Sequence, residues 1–363
     1  MIDCNWEVTK TLTLPESLRS GVYAMRLRAG DGIGLGGEYI VFFVRPQAPT
    51  GRIAFIAPTA SCLAYANEHL SFDAQIIQPM TGQPPIVSEI DVEMYKNWEF
   101  GPSTYNATED CIAGGGRYTY MGGNGYYWNV AFREDEPWIM EVRKLDSGMR
   151  AWPARPGEHD LATTGQKSGL WKNLGRPPQK VVGIGFIAEG FETSQPYRRM
   201  PDSYHRTVSW TTEGVDGGII GDFGLIYDGA AGLELDRYDL NLGTPPHTKI
   251  IAASGGHSDN YVLVTEELLY AYAGLTGSYD CRIRADMTYF TAPNNGAVFS
   301  AGSIAFGQAL PATNFNNNVS RILRGRGFPQ GRRLAGRALD FRGKAMEIAA
   351  RPVRFVTRQA DAR

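Results

Sequence analysis

The apolar runs of this chain are short, and most of them stop at glycine or serine. KVVGIGFIAEGF (Lys180–Phe191), TKIIAASGGHSDN (Thr248–Asn260), NYVLVTEELLYAY (Asn260–Tyr272) and GAVFSAGSIAFGQAL (Gly296–Leu310) all contain such short runs. Short apolar runs bounded by turn residues read as strands. The densest case is GGGRYTYMGGNGYYW (Gly114–Trp128), with six glycines and five aromatic residues in fifteen positions. Here Arg117–Met121 reads as a strand, Gly122–Gly125 as a turn and Tyr126–Trp128 as an aromatic run. Polar and glycine turns at the carboxyl ends of several strands predict an α/β fold. The expected sheet is open and mostly parallel, of the amidotransferase or flavodoxin kind, with a ligand crevice outside those ends.

Three segments are expected. Residues 1–48 hold SGVYAMRLRAG and EYIVFFVRP, which read as strands of a small β-sandwich-like segment, and PQAPTG marks its end. Residues 49–320 form the α/β domain, opening on a strand at Arg52–Ala57, a turn after Pro58 and an alanine-rich helix that carries Tyr65. Residues 321–363 carry eleven Arg and one Lys against Asp340, Glu347 and Asp361, in a chain whose net charge is −2. Such a tail is expected to be solvated and poorly ordered, with docking to an acidic partner as the alternative. Nucleic acid is disfavoured, because no recognised motif or interleaved aromatic residues accompany the arginines.

Cys4, Cys62, Cys111 and Cys281 are far apart and form no CxxC pair. Without a secretory leader pattern, they predict reduced thiols in a cytoplasm. No apolar run approaches the ~18 residues of a membrane span.

Several chemistries find no support. The GGNG turn lacks the Ser or Cys of a nucleophile elbow, and Ser303 in AGSIAFG is a lone serine after glycine. No phosphate loop or dinucleotide fingerprint follows a strand. The five histidines (His69, His159, His205, His247 and His257) show no metal-binding spacing. His257 stands out because GGHSDN gathers it with Asp259 and Asn260 on one turn. The chain is rich in phenols, with eighteen tyrosines, and tyrosinate suits a hard cation such as Fe(III). A strand ending in Gly-Gly-Asn-Gly can aim backbone N–H groups and the Asn124 amide at a ligand, because glycine reaches positive φ. The plain alternative is a tight turn with its aromatic residues packed into the core.

YMGGNGYYW, RAWPARPGE, SGLWKNLGRPPQKVVGIGF, IGDFGL, GLELDR, LGTPPH, GGHSDNY and GAVFSAGSIAFGQAL resemble, in consistent order, the carboxyl-terminal half of the large subunit of N,N-dimethylformamidase. SGVYAMRLRAG, FFVRP, APTASCLAYAN and EFGPSTYN resemble the segments that precede it. The resemblance implies an iron-dependent amidohydrolase that cleaves small formamides to an amine and formate. It also implies a mononuclear ferric ion held by two tyrosinates and one glutamate, and a small helical subunit in a hetero-oligomer. On the matching motifs the tyrosinates are Tyr65 of LAYAN and Tyr105 of STYN, while Asn124 and Glu234 are polar residues of the pocket. His257 is added as a third catalytic candidate.

Two departures stand out. The family's amino-terminal β-rich domain is expected to be absent. STYN also runs through ATEDC directly into IAGGG, without the segment whose Gly-Ser-His-Pro-Glu-Tyr motif supplies the iron glutamate and a histidine, and no HPE occurs in the chain. If iron is held, it polarises the amide carbonyl and activates water without a covalent intermediate. The rival expectation is a non-catalytic, shortened relative that binds or assembles. A further rival is an amidotransferase-like hydrolase using Cys111 or Ser303.

Overall fold

The computed structural model describes residues 10–15, 17–26, 39–44, 56, 104–132, 140–144, 157, 159–225, 227–268, 270, 272–324 and 353–355. Tyr65 and, apart from Ile56, the strand expected at Arg52–Ala57 lie outside them. The chain divides into two compact units. One is Met1–Asn67 with Asp91–Met94 and Arg337–Arg363, and the other is Glu68–Ile90 with Tyr95–Gly336.

In the first unit β1 spans Lys10–Leu12, and β2 (Gly21–Arg26) pairs antiparallel with β3 (Tyr39–Val44). GVYAMR and YIVFFV are rich in β-branched and aromatic residues, which fit a pleated surface. Tyr23 stacks on Phe42 across the pair with ring centroids 5.7 Å apart, the cross-strand contact that stabilises such ribbons.

The second unit opens with α1 (Thr104–Ala113) and β4 (Arg117–Tyr120), followed by the antiparallel pair β5 (Val130–Phe132) and β6 (Met140–Val142). Next come α2 (Gln179–Val182), β7 (Gly185–Gln195), β8 (Tyr197–Arg199), β9 (Ile219–Ile220) and β10 (Ala231–Arg237). The unit continues with β11 (Lys249–Ala253), β12 (Val262–Leu263), β13 (Asp286–Ala292), β14 (Gly296–Ser300), α3 (Ala305–Ala309) and α4 (Asn318–Arg324). Last in the chain, β15 (Val353–Phe355), within the basic tail, pairs antiparallel with β1 in the first unit.

One sheet has the order β4-β14-β13-β11-β8-β9 and another the order β10-β7-β12. Among the described strands β4 and β14 form the single parallel pair, from Arg117↔Ala297 to Tyr120↔Ser300. The remaining described pairs are antiparallel. A parallel pair needs a long crossover, and this one spans everything between β4 and β14.

Strands β13 and β14 are buried on both faces, which is why MTYF and GAVFS carry no polar alternation. Met287, Tyr289, Ala297 and Phe299 pack with Ile187, Ala188 and Leu235 of the three-stranded sheet. Phe290 and Val298 point the other way, against Tyr105, Trp171, Val181, Val182 and Ile184. Burying one such side chain contributes roughly 1.5–3 kcal/mol, so both layers fix the register of the central strands. Among the described residues no helix is long and apolar enough to cross a membrane.

Candidate functional site

The carboxyl ends of β4 and β14 lie side by side, joined where Ala301 N–H donates to the Tyr120 carbonyl at 2.8 Å. Strand β10 crosses at this edge. Its Asp236 N–H donates to the Gly302 carbonyl at 2.8 Å, and Leu235 bridges to Ser303. The GGNG turn is therefore wedged between two polypeptide segments, and its glycines have local causes. Gly122 has φ +103°, and a Cβ there would meet Ser303 N at 2.3 Å. Gly123 has φ +84°, and a Cβ there would sit 3.0 Å from Glu234 Oε2. Between these glycines and Tyr126, which has φ 59°, Asn124 is held at φ 30°, a conformation that non-glycine residues keep only when their surroundings enforce it.

The enforcement is visible. Gly125 N–H donates to the Tyr120 hydroxyl at 2.9 Å, and Asn124 Nδ2 donates to Glu234 Oε1 at 3.1 Å. The structure thus joins two of the residues named from the sequence, separated by 110 positions in the chain. Burial pushes the Glu234 carboxyl up to about 8, and the neighbouring charges of Asp236 and Glu189 add to the effect. Glu189 lies directly across from Glu234 on β7. Its own carboxyl is raised by burial and by Glu266, with Lys144 opposing.

Asp236 was not singled out from the sequence, although it sits two residues beyond Glu234 in GLELDR, the spacing that puts side chains on one face of a strand. It is fully buried. Burial lifts its carboxyl to about 7, opposed by the Tyr120 hydroxyl and the Gly123 and Asn124 amides, which face it. None of these closes a hydrogen bond of full geometry, and both carboxylate oxygens are buried without one.

Tyr105 lies in the neighbouring aromatic cluster. Its ring meets Tyr126 edge-on at 5.8 Å and Trp171 at 5.3 Å, and the Arg176 guanidinium lies 4.2 Å above it. Tyr126 in turn packs on Tyr120 at 5.8 Å, linking this cluster to the glycine turn. The Tyr105 hydroxyl donates to the Pro177 carbonyl at 3.0 Å. Burial, aided by Glu109 and opposed by Arg176, pushes its phenol up to about 12. A ferric ligand needs the opposite, an ionised phenol with a free lone pair. With Tyr65 outside the described residues, and no group of three His, Cys, Asp or Glu side chains among them able to hold a metal, the described residues do not by themselves fit a ferric ion.

His257 is buried, with Nε2 paired to the Ser254 hydroxyl at 2.8 Å and its ring 4.6 Å from that of Tyr261. Burial holds the imidazole down at about 4, so it is neutral at physiological pH. Its link to the Asn124–Glu234 pair is indirect, through the Tyr261 hydroxyl, which accepts the Leu233 N–H at 3.0 Å. Asp259, expected on the same turn, points outward to the Thr276 hydroxyl instead.

The two rival nucleophiles are engaged or suppressed. The Ser303 hydroxyl is buried and bonds Gly232 N–H at 2.9 Å and the Gly232 carbonyl at 2.7 Å. Burial raises the Cys111 thiol, whose thiolate is then scarce. A cleft of about 370 Å³ opens among Arg198, Ile250, Ser254 and Arg284. Neither Asn124 nor Glu234 lines it, so the chemistry of the turn, not cavity size, marks the candidate site.

A sequence model described as N,N-dimethylformamidase beta subunit-like, C-terminal, matches residues 1–110 and 101–319. The N,N-dimethylformamidase beta subunit of Paracoccus aminophilus is 33% identical over 414 aligned positions, covering 89% of this chain and 54% of the relative. That of an Alcaligenes species is 33% identical over 412 positions, covering 88% of this chain and 53% of the relative. The chain spans about half the length of these curated relatives. Both alignments are longer than the 363 residues of the chain, so the relatives carry additional residues within the matched span. The two matched pieces overlap at residues 101–110, which include the STYN segment. The chain belongs to the N,N-dimethylformamidase beta subunit-like family, matching its C-terminal region.

Proposed function

We propose that this chain takes part in the hydrolysis of small N-substituted formamides, dimethylformamide to dimethylamine and formate. The observation that carries the reading is the Asn124 Nδ2 to Glu234 Oε1 bond at 3.1 Å beside a turn built of glycine. Glu234, whose proton affinity is raised to about 8, is a stronger base than an ordinary carboxylate and takes the proton from an attacking water. It then returns that proton to the leaving amine nitrogen. Asn124, whose Nδ2 carries a second hydrogen besides the one on Glu234, donates to the oxygen on which negative charge develops. Tyr126 packs into the Tyr105 cluster, while Tyr127 and Trp128 pack with Leu170 and Phe186.

The ferric ion that the resemblance implies would be held by Tyr65 and Tyr105, and its chemistry is Lewis-acid polarisation of the amide carbonyl. Because Tyr105 is a hydrogen-bond donor to Pro177, no step above is routed through the metal. The relatives are named as beta subunits, which supports assembly with another subunit, in this reading a small helical one. Dimethylamine release by the parent, lost in Glu234→Gln, tests the proposal.

The second reading is a non-catalytic binding or assembly module. It is favoured by the Tyr105–Pro177 bond and by the residues that the relatives carry inside the matched span. It expects stable association with a second subunit and no dimethylamine release by the complex.

A further inference from the structure

Asp236 is fully buried, yet neither of its carboxylate oxygens has a complete hydrogen bond. Such a group is costly to keep in a protein interior, since an apolar residue of similar size would avoid the desolvation. Its surroundings show what it faces. The Tyr120 hydroxyl and the Gly123 and Asn124 amides lie on one side. The charge of Asp236 also acts on the Tyr197 hydroxyl of β8 and on Glu234 of its own strand. Tyr120 takes the Gly125 N–H at 2.9 Å, and the unpartnered Asp236 carboxyl lies beside the same turn.

We propose that Asp236 is a positioning residue, whose buried carboxylate holds the glycine turn closed so that the Asn124 amide stays on Glu234. The inference rests on the amide-hydrolysis reading for its catalytic meaning. The backbone of Asp236 is itself fixed, through its N–H to the Gly302 carbonyl at 2.8 Å, beside a turn that holds Asn124 at φ 30°. The same placement couples the two acids. A second negative charge on one strand face raises the proton affinity of Glu234, alongside burial and Glu189. Glu189 is modulated in turn by Glu266 and Lys144, while Tyr120 and Tyr197 face Asp236 itself.

The test compares the full chain with Asp236→Asn, checked for folding by near-UV circular dichroism. Three quantities are followed: the Glu234 carboxyl titration by carbon-13 NMR, amide hydrogen exchange at Gly123–Gly125, and dimethylamine release against pH. The expected result is a Glu234 titration lowered by on the order of one unit and turn amides that exchange at least ~10-fold faster. The kcat limb that rises with pH moves to lower pH in step with that titration, with kcat down about 10- to 100-fold and KM little changed. If Asp236→Asn does not fold, Asp236→Glu, which keeps the charge and displaces it, takes its place, and faster exchange at Gly123 and Asn124 is expected. Unchanged exchange and an unmoved Glu234 titration in the folded variant overturn the inference even if the parent turns over amide. Shifted titration and exchange with no turnover by the parent leave the positioning role standing and overturn the hydrolase reading instead.

Discussion

Ser303 and Gly232 are held in a reciprocal clasp. The Ser303 hydroxyl accepts the Gly232 N–H at 2.9 Å and donates to the Gly232 carbonyl at 2.7 Å. A hydroxyl engaged in this way staples the loop after β14 to the strand that carries Glu234. Ser303→Ala is expected to lower stability by about 1–3 kcal/mol, because it strands buried backbone groups. In the hydrolase reading the folded fraction keeps an unchanged kcat, and a serine-directed phosphonate should leave the parent unlabelled. Stoichiometric labelling of Ser303 would contradict this structural role.

Asn124→Ala removes the donor that meets Glu234 and, in the hydrolase reading, the developing oxyanion. Loss of one such donor costs on the order of 10²–10³ in kcat. Asn124→Ala releasing dimethylamine at the parental rate would remove Asn124 from the reaction, while its Glu234 titration would show whether the pair had mattered electrostatically.

Stability should depend on pH with two opposed slopes. The Glu234 and Asp236 carboxyls titrate near 8 and 7 in the folded chain, against ordinary values of 4.5 and 3.8. Between those limits the native state keeps protons that the unfolded chain releases. The stability they contribute is complete at low pH and is lost as pH rises through 8. His257 acts oppositely. It is held near 4 against 6.5, so its contribution is complete above 6.5 and is lost as pH falls through 4. Urea unfolding at several pH values is expected to show Glu234→Gln flattening the loss between pH 5 and about 8 while leaving the acid-side loss in place.

Much of this arrangement is local in origin, and that part was legible. The alternation in GVYAMR, the β-branched and aromatic run YIVFFV and the glycines after RYTYM are properties of neighbouring residues, and β2, β3, β4 and the turn lie where those residues predict. Asn124 follows from the glycine turn and Glu234 only from family resemblance, and nothing near either residue reveals a partner 110 positions away. Asp236 is the instructive omission. Its side of the strand follows from its spacing to Glu234, but its complete burial depends on β4, β8 and the loop after β14 converging on β10. His257 and Asp259 show the reverse error of proximity: adjacent on one turn, they face opposite ways, one into Ser254 and Tyr261, the other out to Thr276.

Tyr105→Phe reports on the metal question. The bond to Pro177 predicts a loss of about 1 kcal/mol in iron-free protein, measured by denaturant unfolding. For Tyr105 to bind ferric iron, that bond must break and a phenol near 12 must ionise at neutral pH, a displacement of roughly five units or ~7 kcal/mol that the metal would supply. In the ferric reading, purified protein carries iron and a visible phenolate absorption that Tyr105→Phe weakens or removes. A colourless parent whose Tyr105→Phe variant loses only stability favours the assembly module.

Gly122→Ala isolates the turn from the chemistry. A Cβ at this position would lie 2.3 Å from Ser303 N and 2.9 Å from the Gly302 carbonyl carbon, both backbone atoms that cannot rotate aside, at a φ of +103°. Either the turn or the segment after β14 must shift, and since Asp236 bonds Gly302, β10 is drawn into the displacement. The expected cost is upwards of ~2 kcal/mol. Gly255→Ala provides the control, because a Cβ there meets nothing within 4 Å. If the two variants melt together at the parental temperature, the close approach of the turn to Ser303 is refuted, and with it the strain that holds Asn124 against Glu234.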